Sequence, residues 1–115
     1  MFGKQPPAHR DVDIAEAERL VRTDEVRVLD VRNPEEHAEL GHIPGAILLP
    51  LDHLPEALGT LPREGKPLLI CCEGGVRSKR AAAFLARNGF TGLLNLARGM
   101  ACWTGPREFP PRPPS

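Results

Sequence analysis

The stretch CEGGVRS, residues 72–78, is the most informative part of this chain, because it joins a cysteine to two glycines, an arginine and a serine. It follows an apolar run at residues 68–71 and precedes an alanine-rich pattern typical of a helix. Gly74 and Gly75 can adopt positive φ and let successive N–H groups converge on one sulfur or oxyanion. A helix start adds positive potential, which favours the reactive thiolate of a cysteine. The stretch therefore predicts a nucleophile held in a backbone cradle.

Strand and helix patterns alternate on both sides of this loop. Apolar runs predict strands at residues 26–31, 46–49, 68–71 and 93–96. Capping residues and periodic apolar positions predict helices at residues 14–23, 34–40, 54–61 and 78–88, and one helical turn at 100–103. This alternation predicts an α/β fold with a mostly parallel central sheet that is covered on both faces. Functional sites of such sheets form at the carboxyl ends of the strands, where residue 72 lies.

Composition narrows the class of partner and the compartment. The chain has 115 residues, with 15 Lys and Arg against 15 Asp and Glu, so its formal net charge is zero. This balance argues against nucleic acid or an anionic membrane as the main partner, and no apolar run is long enough to span a bilayer. Three cysteines, two of them adjacent, indicate free thiols in a reducing cytoplasm rather than a disulfide framework. His9 and His53 have no ligand spacing with any cysteine, so we expect no metal site.

Four segments of the chain resemble the signature motifs of rhodanese-like domains. Residues 72–78 are similar to that family's active loop, in which four residues separate the cysteine from an arginine that Ser or Thr follows. The other matches are VLDVR at residues 28–32, GHIPGA at 41–46 and GMACW at 99–103. The resemblance implies a rhodanese-like three-layer α/β/α fold. It divides the chain into an N-terminal lead-in at residues 1–11, a domain at 12–106 and a proline-rich tail at 107–115, which we expect to be extended or disordered.

The resemblance implies a sulfurtransferase. Cys72 would take sulfane sulfur from thiosulfate, a polysulfide or a persulfide, and the resulting Cys72 persulfide would pass it to a thiol or cyanide. The donor and the acceptor can be small molecules or groups on a protein, no cofactor is required, and we expect a monomer or a weak dimer. The substrate and persulfide would be held by the rest of the loop, namely Glu73, Gly74, Gly75, Val76, Arg77 and Ser78, of which Ser78 would cap the following helix.

Other polar residues are expected to support this loop. Asp30 and Arg32 lie two apart on a strand and point to the same side, which favours a structural ion pair. His42 is expected to bond backbone near the sheet end, and His37 to be a partly buried packing residue. Glu73 follows the nucleophile, and a carboxylate facing the pocket would repel a dianion. We therefore expect weak activity with thiosulfate, an expectation that fails if Glu73 points to solvent.

Two other functions remain open. Counted from Cys71, five residues precede Arg77, which is the spacing of cysteine phosphatases, and Arg77 would then grip a phosphate bidentately. Ile70 stands where those phosphatases usually have histidine, and no Asp is marked as a general acid. The second alternative is a non-catalytic interaction module of the same fold, although such modules usually lack the cysteine that is present here at position 72.

Overall fold

Five parallel strands form the central sheet of the computed structural model, which describes residues 9–111. Their order across the sheet is β1-β5-β4-β2-β3, so the middle position belongs to β4. That strand precedes the glycine loop, and all four of its residues are buried. The strands are β1 (Arg10–Val12), β2 (Arg27–Asp30), β3 (Ile47–Leu48), β4 (Leu68–Cys71) and β5 (Leu93–Leu96).

Helices cover both faces of the sheet. In the described part of the chain, the three α-helices are α1 (Ile14–Arg22), α2 (Pro34–Glu39) and α3 (Val76–Arg87), and three 3-10 helices lie at Leu51–His53, Pro55–Thr60 and Met100–Cys102. On one face, Ala17 and Leu20 of α1 belong to a first hydrophobic cluster, together with Leu69 and Cys71 of β4. On the other face, alanines and Leu85 of α3 belong to a second cluster, together with Leu68 and Ile70. The arrangement confirms the predicted three-layer α/β/α fold.

Local signals explain where the first two helices begin. The Asp13 side chain accepts a hydrogen bond of 2.7 Å from the Glu16 amide at the start of α1. At α2, Asn33 and Glu36 form a reciprocal capping box and Pro34 occupies the first turn, where its missing N–H costs nothing. The capping box places Glu36 at the carboxyl-end edge of the sheet, beside the glycine loop, and this position matters for the site.

Several boundaries differ from the sequence expectations. Helix α3 begins at Val76 with Gly75 as its N-cap, so Ser78 lies inside the first turn and does not cap the helix as expected. The expected helix at residues 54–61 is a 3-10 helix, and its last residue is Thr60. Arg10 and Asp11, from the expected lead-in, belong to β1, which pairs with β5. Residues 1–8 and 112–115 of the lead-in and the tail lie outside the described residues.

Candidate active site

Three hydrogen-bonding groups converge on the sulfur of Cys72, directly after β4. The Gly75 amide donates to Cys72 Sγ at 3.0 Å and the Ser78 amide donates at 3.3 Å. The Ser78 hydroxyl lies 3.3 Å from the same sulfur. The Cys72 residue is only 1% exposed, so little water competes for these contacts. Because N–H donors at a helix start stabilise negative charge, the arrangement suits a thiolate or a persulfide anion.

The loop that holds these donors requires glycine at one position. Gly75 has φ of +94°, and a Cβ atom there would overlap the carbonyl oxygen of Ala97, just after β5. Gly74 does not have positive φ, and a Cβ atom there would meet nothing within 4 Å. The close approach of Gly75 to the end of β5 therefore fixes the loop, whereas Gly74 is open to solvent.

The 3-10 helix at Met100–Cys102 supports the loop from the other side. The Met100 amide donates to the Cys72 carbonyl at 2.8 Å, and the Ala101 amide donates to the Glu73 carbonyl at 3.0 Å. Gly99, with φ of +71°, precedes this helix, and a Cβ atom there would overlap the carbonyl group of Glu73. The backbone of Cys72 and Glu73 is thus held by two hydrogen bonds from the GMACW segment.

The thiol of Cys71 lies apart from this cradle. Cys71 belongs to the first cluster, beneath α1, whereas Cys72 belongs to the second cluster, beneath α3. Cys71 is fully buried, and burial, followed by the nearby Asp30 carboxylate, raises the pKa of its thiol well above the ordinary value. A thiol held neutral on the far face is a poor nucleophile, so the geometry does not favour the phosphatase spacing counted from Cys71.

A buried ion network lies next to the loop. The Arg32 side chain donates three hydrogen bonds of 2.7–3.1 Å to the Asp30 carboxylate, and both residues are fully buried. Arg32 also donates to the Gly41 carbonyl at 2.9 Å and to Glu73 Oε1 at 3.1 Å. The Glu73 side chain is 32% exposed, so its carboxylate neither projects freely into solvent nor stands unpaired at the pocket. Because Arg32 partly neutralises this carboxylate, Glu73 repels a thiosulfate dianion less than an unpaired carboxylate would. The expectation of weak thiosulfate activity therefore has less electrostatic support.

Arg77 forms a bidentate ion pair with Glu36 of helix α2. Its two terminal nitrogens lie 2.6 and 2.7 Å from the Glu36 carboxylate oxygens. These hydrogen bonds lower the pKa of the Glu36 carboxyl group and raise the pKa of Arg77. The pair joins helix α3 to helix α2 across the mouth of the site. Glu36 is an acidic residue in the first turn of α2, and nothing in the local sequence pattern indicates its partner 41 residues later.

A groove of about 490 Å³ runs beside Arg77, between the end of β2 and the first 3-10 helix. Its walls are mostly apolar, with Asn33, Asp52 and Arg77 as polar groups beside Val31, Pro50 and Leu51. Val76, at the tip of the loop, is 64% exposed. A substrate that reaches the loop from this groove therefore meets apolar surface, the Asp52 carboxylate and an arginine that is already paired.

The remaining residues singled out in the sequence have structural contacts. His37 and His42 stack with their ring centroids 3.7 Å apart, and His42 Nδ1 lies 3.2 Å from the His37 carbonyl oxygen. Burial, followed by His42, lowers the pKa of His37.

Within residues 9–111, no group of three or more His, Cys, Asp or Glu side chains is placed to hold a metal ion. In the same part of the chain, no helix has the length and apolar character that crossing a membrane requires.

Comparisons with known proteins agree with this geometry. The sequence profile of the family described as Rhodanese-like domain matches residues 13–105. A protein of Allochromatium vinosum named Sulfurtransferase is 36% identical over 87 residues, which cover 76% of this chain and 79% of that protein. The Mus musculus thiosulfate sulfurtransferase/rhodanese-like domain-containing protein 3 is 33% identical over 106 residues, covering 82% of this chain and 68% of that protein. A solved Staphylococcus aureus rhodanese-like domain protein has a TM-score of 0.79 at 31% identity, covering 89% of this chain and 99% of that one.

Proposed function

The chain belongs to the rhodanese-like domain family, and on this basis we propose that it is a sulfurtransferase that carries the transferred sulfur on Cys72. The observation that supports this most strongly is the convergence of the Gly75 and Ser78 amides on Cys72 Sγ. A persulfide is an anion at the terminal sulfur, and donors fixed in advance stabilise such charge without reorganisation. The sulfurtransferase name of relatives with 33–36% identity agrees with the proposal.

The proposed reaction has two displacement steps. In the first step, the Cys72 thiolate attacks the outer sulfur of a donor, forms a new S–S bond and releases the rest of the donor with the electron pair of the broken bond. Thiosulfate would leave as sulfite, and a persulfide would leave as a thiolate. In the second step, a thiolate or cyanide attacks the terminal sulfur of the persulfide, and the Cys72 thiolate is the leaving group. Both steps conserve electrons, so the cycle needs no external oxidant or reductant.

The surroundings of the loop suggest the kind of donor. Arg32, which contacts Glu73, and Arg77, which belongs to the loop, are both already paired, Arg32 with Asp30 and Glu73 and Arg77 with Glu36. A dianionic donor such as thiosulfate would therefore depend on backbone N–H groups to stabilise its negative charge. The groove beside Arg77 instead offers apolar walls and the Asp52 carboxylate. We therefore favour a donor of lower negative charge, such as a thiol-bound persulfide on a small molecule or protein, with a thiol as the acceptor.

The compartment follows from the proposed chemistry. The three cysteines are free thiols in the structure. A catalytic thiolate that must be regenerated in each cycle functions best where thiols stay reduced, so we propose that the protein acts in the cytoplasm.

Steady-state sulfur transfer tests the proposal. Purified protein would be assayed with thiosulfate and with a low-molecular-weight persulfide as donors, and with cyanide as the acceptor. Cys72→Ser is expected to abolish turnover, because an alkoxide at this position cannot form the persulfide. Cys71→Ser is the matched control and is expected to retain activity. Equal turnover by wild type and Cys72→Ser would reject Cys72 as the sulfur carrier, and absence of turnover in both would favour a non-catalytic interaction module.

A further inference from the structure

The first residues of the proline-rich tail are docked against the domain. We call Arg107, Glu108 and Phe109 the strap. Glu108 and His42 form an isolated antiparallel bridge, in which the Glu108 amide donates to the His42 carbonyl at 2.7 Å and the His42 amide donates in return at 2.9 Å. The Phe109 ring covers Gly41 so closely that a Cβ atom there would lie 2.7 Å from it. The strap therefore contacts the GHIPGA segment at its first two residues.

Arg107 links the strap to two other elements through carbonyl groups. Its guanidinium donates to the Leu40 carbonyl at 2.8 Å, to the Met100 carbonyl at 2.6 Å and to the Trp103 carbonyl at 3.2 Å. Leu40 is the C-cap of α2, and Trp103 is the C-cap of the 3-10 helix at Met100–Cys102. A cation at helix C-termini satisfies carbonyls that have no partner within the helix and interacts favourably with the helix dipole. One side chain thus fastens both elements together.

Both of these elements contact the loop, helix α2 through the ion pair of Glu36 with Arg77. Through the 3-10 helix, the Met100 amide holds the Cys72 carbonyl at 2.8 Å and the Ala101 amide holds the Glu73 carbonyl at 3.0 Å. Beside the strap, the Gly41 carbonyl accepts from Arg32, which also donates to Glu73. Met100 therefore connects Arg107 to the backbone of Cys72, because its carbonyl accepts from Arg107 and its amide donates to the Cys72 carbonyl.

We propose that Arg107 is a positioning residue that holds the Cys72 loop in register by fixing the 3-10 helix at Met100–Cys102 against the end of α2. This role rests on the proposed function, because it takes Cys72 as the nucleophile. The planar guanidinium suits this task, since its several donors reach three carbonyls in a fixed geometry. Loss of Arg107 leaves the Leu40 and Trp103 carbonyls to water and leaves the Met100 carbonyl with its bond from the Trp103 amide alone, so the 3-10 helix can shift. A shift of about 1 Å in a catalytic group can cost about 100-fold in rate.

Native-state amide hydrogen exchange, measured on the full chain by NMR, tests the proposal without requiring sulfur transfer. Four reporter amides are those of Gly75 and Ser78, which donate to Cys72 Sγ, and those of Met100 and Ala101, which hold the loop backbone. In Arg107→Ala, these amides are expected to exchange roughly tenfold faster, while amides of β4 and β5 stay unchanged because the opening is local. Arg107→Lys keeps the positive charge but loses the planar set of guanidinium N–H donors, so we expect an intermediate acceleration of amide exchange.

Arg63→Ala is the matched control, because Arg63 also donates from its guanidinium to one carbonyl, that of Asn88, at 2.6 Å. Asn88 is the C-cap of α3, at the opposite end of that helix from the loop. Arg63→Ala should leave the four reporter amides unchanged. In the transfer assay, Arg107→Ala is expected to lower kcat about tenfold with KM within about twofold, as expected for a misplaced nucleophile.

Unchanged exchange at the four amides in Arg107→Ala would overturn the proposal, and so would an equal acceleration throughout the sheet, which would show only general destabilisation. If Arg107→Ala does not fold, Arg107→Lys decides by the same criterion. Absence of sulfur transfer by wild type would reject the proposed function, whereas the exchange comparison would still show whether Arg107 holds the loop.

Discussion

Cys71 and Cys72 are consecutive residues whose thiols lie on opposite faces of the central sheet. Cys71 packs into the cluster beneath α1, and Cys72 packs into the cluster beneath α3, where the Gly75 and Ser78 amides reach its sulfur. Strand geometry explains the separation, because successive side chains of a strand point to opposite faces. The sheet itself therefore selects which of the two cysteines meets the loop.

The two glycines of the loop are expected to respond differently to alanine. Gly75→Ala must accommodate a Cβ atom at φ of +94° against the Ala97 carbonyl oxygen, so the loop cannot keep its shape. We expect Gly75→Ala to cost roughly 2–4 kcal/mol of unfolding free energy and to lower kcat about 100-fold. Urea denaturation and the transfer assay measure the two effects.

Gly74→Ala is the matched control for this prediction. Its Cβ atom would meet nothing within 4 Å, and the residue does not have positive φ. We expect a change in unfolding free energy within about 0.5 kcal/mol and near wild-type kcat. Equal losses in the two variants would contradict the assignment of Gly75 as the position that fixes the loop.

The charge of Glu73 is expected to set part of the donor preference. Arg32 neutralises this carboxylate only in part, because the Glu73 side chain is 32% exposed. Glu73→Gln should raise kcat/KM for dianionic thiosulfate by about 2–5-fold at low salt, and less at about 500 mM salt, where the Debye length is short. The monoanionic donor benzenethiosulfonate is the control and should gain less. An equal gain for both donors, or none, would show that the Glu73 carboxylate does not act on the donor's charge.

Stability is expected to fall in mild acid because of His37. Burial and the neighbouring His42 lower the pKa of His37 from its ordinary value of 6.5, so the folded state binds a proton less readily than the unfolded chain does. The unfolding free energy should therefore include the whole contribution of neutral His37 above about pH 7. It should decline as the pH falls below the pKa that His37 has in the unfolded chain. Urea midpoints at about pH 7.5, 6 and 5 measure the decline.

His37→Phe keeps an aromatic ring against His42 but cannot titrate, so it should flatten this decline. The control is His53→Phe, because His53 has a 60% exposed side chain on the first 3-10 helix and should leave the decline unchanged. A decline that persists in His37→Phe would assign the acid sensitivity to other groups. The ion pair of Glu36 with Arg77 is lost only at lower pH, because its carboxyl has a pKa below the ordinary 4.5.

The fold and the cradle could be predicted because local patterns encode them. Apolar periodicity located four of the five strands, and the two glycines at a strand-to-helix junction indicated the loop around Cys72. Long-range contacts left no such pattern. Helix α2 meets the loop through Glu36 and Arg77, which are 41 residues apart, and only the packed structure brings them together. Ser78 was expected to cap α3, but the helix begins earlier and its hydroxyl is instead near Cys72 Sγ.

The strap was missed for a related reason. Its proline-rich composition indicated an extended or disordered tail, and composition carries no information about docking. Arg107–Phe109 is extended, yet it is fastened by a two-way backbone bridge and by the carbonyls that Arg107 contacts. Strand β1 was missed because only one of its three residues, Val12, is buried, which leaves too little apolar pattern.

The most direct test of the account is the position of the sulfur adduct. Protein would be incubated with a sulfur donor, digested without reductant and examined by peptide mass spectrometry for a gain of about 32 Da, one sulfur atom on the covalent intermediate. Cys71→Ala and Cys72→Ser would be treated in parallel, since both cysteines fall in one peptide. We expect the adduct in wild type and Cys71→Ala and its absence in Cys72→Ser. An adduct that persists in Cys72→Ser and disappears in Cys71→Ala would contradict sulfur transfer through Cys72.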